Sequence, residues 1–211
     1  MITTTRPSLG DRLKADCWDL HERAEHGVFA RAMAGGELGR EAYRRLLEQS
    51  VVMHRALDAA LRSVKHPLIE ACVGDEQMLG ERTAADLSFF GGDAGAVEPL
   101  REASAFVDAV AAAIERGDGA FIFGLHYVRE GANNGNRYVA AKLRQSFGIE
   151  GEEGTRSLDP YGSEQRRVWL GFKDTLNEVS AGLADSEHDA VVAGARAMFE
   201  HTIALHGALA V

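Results

Sequence analysis

Apolar residues recur along this chain at steps of three and four, which is the spacing of one face of an α-helix. The clearest segment runs from about Arg40 to Val64. Its inward-facing positions are Tyr43, Leu46, Leu47, Val51, His54, Leu57 and Leu61. No segment alternates between apolar and polar residues as a β-strand does. The pattern therefore predicts an all-α protein with this long helix as its spine.

The same spacing predicts further helices on both sides of the spine. Their approximate limits are 11–25, 28–33, 67–73, 81–90, 99–116, 120–147, 164–183 and 187–209. Pro99 is expected in the first turn of its helix, and Ser186 with Asp189 resembles a capping box. We therefore expect a bundle of about eight helices in a single domain over residues 1–211. A flexible N-terminus of about residues 1–8 and a glycine-rich surface loop of about residues 148–163 complete the prediction.

One predicted helix contains a cluster of residues that disfavour helices. Between Tyr127 and Lys142 lie two glycines and three asparagines: Gly131, Asn133, Asn134, Gly135 and Asn136. Glycine in a helix interior costs about 1 kcal/mol relative to alanine. Without a Cβ atom, however, its backbone can approach a ligand closely. We interpret the cluster as a helix that is bent or broken near residues 131–136 and lies against something flat.

Composition and charge narrow the class of partner. The 211 residues carry a formal charge of −9 without a dense basic tract, which argues against nucleic acid and anionic membranes as partners. Met1 to Gly10 lacks the apolar core of a signal peptide, and no apolar run is long enough to span a bilayer. Cys17 and Cys72 fit neither a disulfide framework nor a metal motif. A soluble cytoplasmic protein is expected.

Among eight histidines, His21 is the strongest candidate for a functional site. Glu25 lies one helical turn away on the same face. A carboxylate there can accept the Nδ1 proton, which fixes the tautomer and leaves Nε2 free for a metal. The spacing is equally compatible with an exposed Glu–His pair on a charged helix face.

Other sequence patterns for catalysis are incomplete or absent. His201 and His206 are five residues apart on diverging faces, which makes a metal pair there weak. A diiron site needs about six ligands from several helices, and Glu22 with Glu25 and His26 supplies only part of such a set. Nucleophile-elbow, phosphate-loop and zinc-protease motifs are missing, which argues against those three functions.

Two segments together resemble the heme oxygenase family. LKADCWDLHERAE, from Leu13 to Glu25, is similar to its first helix, and YVREGANNG, from Tyr127 to Gly135, is similar to its kinked distal helix in bacterial members. The segment from His54 to Asp58 is in register with the same family. Trp169 and Phe172 resemble its bacterial and phytochrome-associated branch. The similarity spans most of the chain in the expected order.

The resemblance implies a role for each matching residue. His21 would bind heme iron through Nε2, with Glu25 accepting its Nδ1 proton. Gly131 and Gly135 would lie over the opposite face of heme, where a bare backbone leaves room for dioxygen. Two lysines match basic residues that meet heme propionates: Lys14 and Lys142.

The reaction implied by the resemblance is the oxidation of heme to biliverdin, carbon monoxide and ferrous iron. Dioxygen is the oxidant. The electrons would come from a separate reductase or a ferredoxin, because the chain has no flavin or iron–sulfur motif. The acidic charge of the chain means that docking of an acidic ferredoxin would require a local basic patch.

The distal segment departs from the family pattern at two positions. Ala132 stands where mammalian-type members have an aspartate that orders a proton-donating water, and Asn136 replaces the second glycine of the usual pair. Our hypothesis is that Asn133 or Asn134 anchors the distal water instead. Two other functions stay open: a heme-binding or sensing protein without efficient turnover, and a non-heme relative of the scaffold such as a diiron oxidase or a thiamine-related enzyme.

Overall fold

The computed structural model describes residues 7–210, and within them every regular element is a helix. The ten α-helices are α1 Leu9–Asp16, α2 Trp18–His26, α3 Val28–Gly35, α4 Arg40–Ser63, α5 Pro67–Cys72, α6 Gly80–Phe89, α7 Arg101–Glu115, α8 Gly119–Phe147, α9 Gln165–Ser180 and α10 Asp185–Leu209. The all-α prediction is confirmed, with two helices more than the approximate count. None of these helices is both long and apolar enough to cross a membrane.

The helix limits differ from the prediction at several places. The helix predicted over 11–25 is divided at Cys17, whose φ of −110° and ψ of 0° leave the helical region. Ser8 caps α1 by accepting a hydrogen bond from the Asp11 amide, so the predicted flexible N-terminus of residues 1–8 ends in an ordered cap, and its residues 1–6 lie outside the described part. α8 is continuous, and its glycine–asparagine cluster is accommodated without a break in the helix.

The predicted starts of two helices, α7 and α10, were wrong. α7 begins at Arg101, so Pro99 precedes the helix, and the Leu100 amide donates to Oε1 of Gln49 at 2.7 Å. α10 begins at Asp185, where Glu187 accepts from the Ala184 amide at 2.9 Å. At α7 the local pattern gave the wrong start because the Leu100 amide is bonded to the distant Gln49. At α10 it gave the wrong start because Glu187 forms the capping contact two residues before Asp189.

The predicted surface loop is anchored in the core. Thr155 and Ser157 are buried, and the Tyr43 hydroxyl donates to the Gly154 carbonyl at 3.0 Å. The buried carboxylate of Asp86 accepts from the Arg156 amide at 3.0 Å and from the Ser157 amide at 2.7 Å. The prediction of a surface excursion was wrong for the middle of this segment, because its acceptor lies about 70 residues away in the sequence.

α8 and α10 cross with their backbones in contact. A Cβ atom added to Gly124 would lie 2.1 Å from the Val191 carbonyl oxygen, and one added to Gly194 would lie 2.0 Å from the Phe121 carbonyl oxygen. Such distances are far inside van der Waals contact. Glycine is therefore required at both positions, and the two backbones touch directly.

α8 and α10 run parallel to each other from this crossing. The starts of both helices lie beside His66: a Cβ added to Gly119 would be 2.6 Å from the His66 Cβ, and the His66 Nε2 is 3.5 Å from Glu187. Their far ends both meet the α3 region. Lys142 of α8 lies against Gly36, and His206 of α10 lies against Phe29.

Replacing Gly194 with alanine is expected to destabilise the ligand-free protein by about 3 kcal/mol, because the new methyl group cannot fit beside the α8 backbone. Gly207→Ala on the same helix is the control. A Cβ there meets no described atom within 4 Å, so this variant is expected to gain about 0.5–1 kcal/mol from helix propensity. Urea unfolding of the two variants measures the difference, and equal effects would contradict the close crossing.

Candidate functional site

His21 lies on α2 with its ring held between two aromatic side chains. Trp18 stacks on it at 5.5 Å with an interplanar angle of 7°, and Phe199 of α10 meets it edge-on at 5.7 Å. The side chain is 42% exposed, yet its Nδ1 is covered and has no hydrogen-bond partner among the described residues. The exposed part of the ring is therefore the edge that carries Nε2.

Glu25 is the nearest acceptor for the covered nitrogen. Its Oε2 lies 3.7 Å from the His21 Nδ1, longer than a hydrogen bond but on the expected side of the ring. Hydrogen bonds of this kind are often long before a ligand binds. The arrangement can fix the Nδ1–H tautomer and present Nε2 to a metal.

α10 connects the His21 helix to the glycine-containing helix. α2 lies on α10 through the His21–Phe199 contact and through Arg196, which donates to Asp19 at 2.9 and 3.1 Å. α8 crosses the same helix at Gly194. From that crossing, Gly131 lies seven residues further along α8 and Phe199 lies five residues further along α10, about 10 Å and about 7.5 Å of helix rise. α2 and α8 therefore both pack on α10, at Phe199 and at Gly194 respectively.

The two predicted glycines differ in what surrounds them. A Cβ on Gly131 would lie 3.2 Å from Cη2 of Trp169, so this glycine lets the α9 indole approach. A Cβ on Gly135 would have no described atom within 4 Å. Because an interior glycine costs about 1 kcal/mol relative to alanine, Gly135 has no structural reason visible in the fold. Gly135 is exposed, and the helix surface beside it is open.

An aromatic cluster adjoins the glycine face. Tyr127 of α8 lies 5.6 Å from Trp169, and Trp169 stacks on Phe172 at 5.5 Å. Burial raises the pKa of the Tyr127 hydroxyl to about 12, so it stays neutral. The cluster supplies an apolar wall beside Gly131.

Of the two proposed asparagines, only one lies near the glycine face. Asn134 is partly exposed, donates to the Gly131 carbonyl at 2.9 Å and accepts from Gln165 at 3.3 Å. Asn133 follows Gly131 by two residues and so points to the far side of α8. It is buried there and donates to Glu130 at 3.3 Å. The structure therefore brings Asn134, but not Asn133, beside the glycines.

Glu130 is the titratable group at the centre of this buried cluster. It also accepts from the Tyr161 hydroxyl at 3.1 Å, while its Oε1 has no partner among the described residues. Burial is the largest cause that raises its pKa to about 6. Glu130 was not predicted as a site residue, although it stands directly before Gly131 in the sequence.

A second buried network lies behind α8. Arg129 donates to Asp58 of α4 at 2.6 Å and to the Gln77 carbonyl at 3.1 Å, and Asp58 also accepts from the Gly80 amide at 2.7 Å. Burial lowers the pKa of His126, which lies 3.2 Å from Arg129, well below its usual value. This ion pair ties α8 to α4 and so fixes the helix that carries the glycines.

The two predicted lysines are exposed. Lys14 lies in the last turn of α1, and the backbone of Lys142 packs against Gly36. The structure brings neither ammonium group into contact with His21. Their roles stay predictions.

These features fit the heme that the resemblance implies. An exposed imidazole edge, a carboxylate beside its covered nitrogen, a glycine with free space and an aromatic wall match what a flat macrocycle with a central metal needs. Among residues 7–210, by contrast, no three His, Cys, Asp or Glu side chains are grouped to hold a metal ion. Two surface cavities of about 450 and 510 Å³ are lined by other residues, including Arg137 and Tyr161 respectively.

Comparison with known proteins supports the same assignment. The family model for heme oxygenase matches residues 7–206. No curated protein matches the chain significantly by sequence. Among solved structures, Synechocystis heme oxygenase-2 in complex with heme and NO is similar with a TM-score of 0.88 and 22% identity, covering 96% of this chain and 85% of that one.

Two further bacterial structures share the fold. The heme oxygenase of Leptospira interrogans has a TM-score of 0.85 and 18% identity, with 96% of this chain and 100% of that one covered. The NO- and CO-bound heme oxygenase of Neisseria meningitidis has a TM-score of 0.68 and 22% identity, with 97% and 90% covered.

Replacing Glu130 with glutamine tests whether the pKa of this buried carboxyl is raised by folding. Because its pKa rises from 4.5 to about 6 on folding, its contribution to stability is full below about pH 4.5 and is lost as the pH rises through 6. Glu130→Gln is therefore expected to be about 2 kcal/mol more stable than the wild type at pH 8 and similar to it at pH 4. Urea unfolding across this range measures the effect. Exposed Glu178→Gln on α9 is the control, and a pH-independent difference for Glu130→Gln would contradict the assignment.

Proposed function

The chain belongs to the heme oxygenase family, and on that premise we propose that its heme site is the cleft between α2 and α8. Heme oxygenases open heme to biliverdin, carbon monoxide and ferrous iron, using dioxygen and external electrons, and heme is both substrate and cofactor. The observation that carries the proposed site is a pair of features on the two helices that pack on α10. His21 of α2 exposes its Nε2 edge, and Gly135 of α8 leaves free space where a side chain would be.

His21 and Glu25 form the proximal side of the proposed site. His21 would bind iron through Nε2, and Glu25 would move closer and accept the Nδ1 proton. When bound, heme supplies the redox-active iron at which dioxygen is activated. A neutral imidazole held in one tautomer is a moderate donor to that iron, and Trp18 and Phe199 restrict the rotation of its ring.

Gly131 and Gly135 form the distal side. Gly135 would let the α8 backbone approach the macrocycle, and Gly131 would allow Trp169 to close the wall beside it. Ala132 is exposed and carries no polar side-chain group. The distal proton supply must therefore come from water ordered by neighbouring groups.

Asn134 is the residue that we assign to the distal water. Its amide is fixed at both ends, by the Gly131 carbonyl and by Gln165, at the edge of the glycine face. An amide does not itself deliver protons, but an oriented amide can hold a water that does. Asn133 would instead orient Glu130 from behind the helix and support α8.

Lys14 and Lys142 would meet the heme propionates as flexible surface cations. Electrons would come from a separate NAD(P)H-dependent reductase or a ferredoxin, which the chain's own motifs do not replace. A cytoplasmic location agrees with the two free cysteines.

His21→Ala is expected to abolish the sharp Soret band that hemin gives with the wild-type protein, because the only proposed iron ligand is removed. Added imidazole should restore the band partly by occupying the vacated position. His26→Ala is the matched control: His26 lies on the same helix, is exposed, and uses Nδ1 in a 2.7 Å bond to the Glu22 carbonyl. Its spectrum should stay that of the wild type.

The same samples distinguish the functions that the sequence left open. With a reductase or ferredoxin system in air, the wild-type Soret band should decay into biliverdin absorption. A stable band would show a heme-binding protein without turnover, and no band would contradict the proposed site. An unchanged spectrum in His21→Ala would show that another residue binds iron.

Asn134→Ala is expected to lower the yield of biliverdin per electron pair by about ten-fold and to release hydrogen peroxide instead, because the distal water loses its anchor. Asn133→Ala should lower the stability of the ligand-free protein while leaving the yield of the folded fraction near that of the wild type. Coupled assays of biliverdin and peroxide measure both outcomes. Equal yields in the wild type and Asn134→Ala would remove Asn134 from the mechanism.

A further inference from the structure

His206 lies on the same face of α10 as the residue that touches His21. It follows Phe199 by seven residues, so the two side chains point within about 20° of each other and stand about 10 Å apart along the helix. The His206 ring packs on Phe29 of α3 with 5.1 Å between the ring centroids. The side of α10 that supports His21 therefore continues to a second imidazole.

The surroundings of His206 leave a polar atom without a partner. Its Nδ1 is covered and makes no hydrogen bond within residues 7–210. Burial lowers the pKa of His206 to about 4, so the ring is neutral near pH 7. A buried polar atom without a partner destabilises a fold, and an apolar ring would fill the same place without that penalty.

The two polar residues of α10 that stand closest to His206 along this part of the helix differ from it. Thr202 lies between Phe199 and His206 on this side of the helix, and its hydroxyl donates to the Met198 carbonyl at 2.9 Å. His201 lies on a different side, with its ring against Phe106 of α7 at 5.3 Å. His188 lies on the same face as Phe199 and its Nδ1 also has no partner among the described residues, but it stands eleven residues before Phe199, about 16 Å along the helix, and its Nε2 is 2.8 Å from the Ser180 carbonyl. His206 is therefore the histidine close to Phe199 on this face whose side-chain nitrogen has no partner among the described residues.

We propose that His206 is a second imidazole of the heme site, whose Nδ1 gains a hydrogen-bonding oxygen when heme binds. The inference rests on the proposed location of heme between α2 and α8, beside this face of α10. The oxygen belongs either to a carboxylate of the heme or to a water held beside it. His206 acts as a binding residue, held in place by its contact with Phe29, and is distinct from the iron ligand His21.

His206→Phe tests the proposal through two measurements that should move in opposite directions. The phenyl ring keeps the contact with Phe29 and removes the nitrogen. Urea unfolding of the ligand-free variant should show a higher midpoint, because the unpartnered polar atom is gone. Titration of the Soret band should show about five-fold weaker binding of hemin, because the hydrogen bond formed on binding is lost.

Two further variants control for a purely structural effect. His201→Phe, on another side of the same helix, should leave hemin affinity unchanged whatever it does to stability. His206→Gln keeps a hydrogen-bonding amide and should bind hemin more tightly than His206→Phe. It also serves as the test variant if His206→Phe does not fold. Hemin affinity that is equal in the wild type, His206→Phe and His206→Gln would overturn the proposal.

Hemin dimethyl ester identifies the source of the oxygen. If the His206→Phe effect disappears with the ester, the partner is a heme carboxylate, and if it persists, the partner is a water; either result supports the inference. Failure of this inference is separable from failure of the proposed function. In the first case the wild type still gives a Soret band that needs His21, whereas a wild type with no band would overturn both.

Discussion

The direct contact of the α8 and α10 backbones at Gly124 and Gly194 is the constraint on which the candidate site depends. Any side chain at either position would separate the helices, because a Cβ would lie about 2 Å from a carbonyl oxygen of the other helix. The contact fixes both the spacing and the register of two parallel helices. α2 is then fastened to α10 by Arg196 and Asp19 and by the Phe199 contact with His21. The two sides of the cleft are therefore placed by one shared helix, although they are about 110 residues apart in sequence.

α8 separates two kinds of environment. Its back is closed by polar networks, in which Arg129 pairs with Asp58 and Glu130 binds Asn133 and Tyr161. Its front carries glycines, one of which has free space where a side chain would be. The polar networks hold α8 in place. The glycines on its other side lower the helix propensity and leave less side-chain packing. Functional sites commonly include such locally unfavourable features, which the surrounding structure must compensate.

The sequence predicted the periodic elements well, because burial of one helix face needs only local spacing. The spine, the two final helices and the one-turn relation of His21 to Glu25 were all visible in this way. The break at Cys17 was not visible from the periodicity. The buried middle of the 148–163 segment was not visible either, because it depends on a distant partner, Asp86. The same limit applies to His206: its five-residue distance from His201 indicated only that the two diverge, whereas its neighbour Phe29 is known only from the fold.

The continuity of α8 through its glycine–asparagine cluster shows how tertiary contacts override propensity. Asparagine disfavours a helix because its side chain competes for backbone hydrogen bonds. Here two of the three asparagine side chains are already occupied: Asn133 by Glu130, and Asn134 by the Gly131 carbonyl and Gln165. The bond to Gln165, together with the approach of Trp169 to Gly131, links this part of α8 to α9. The position of the glycine face therefore depends on α9 as well as on α10, and a substitution on α9 can change the distal side without touching α8.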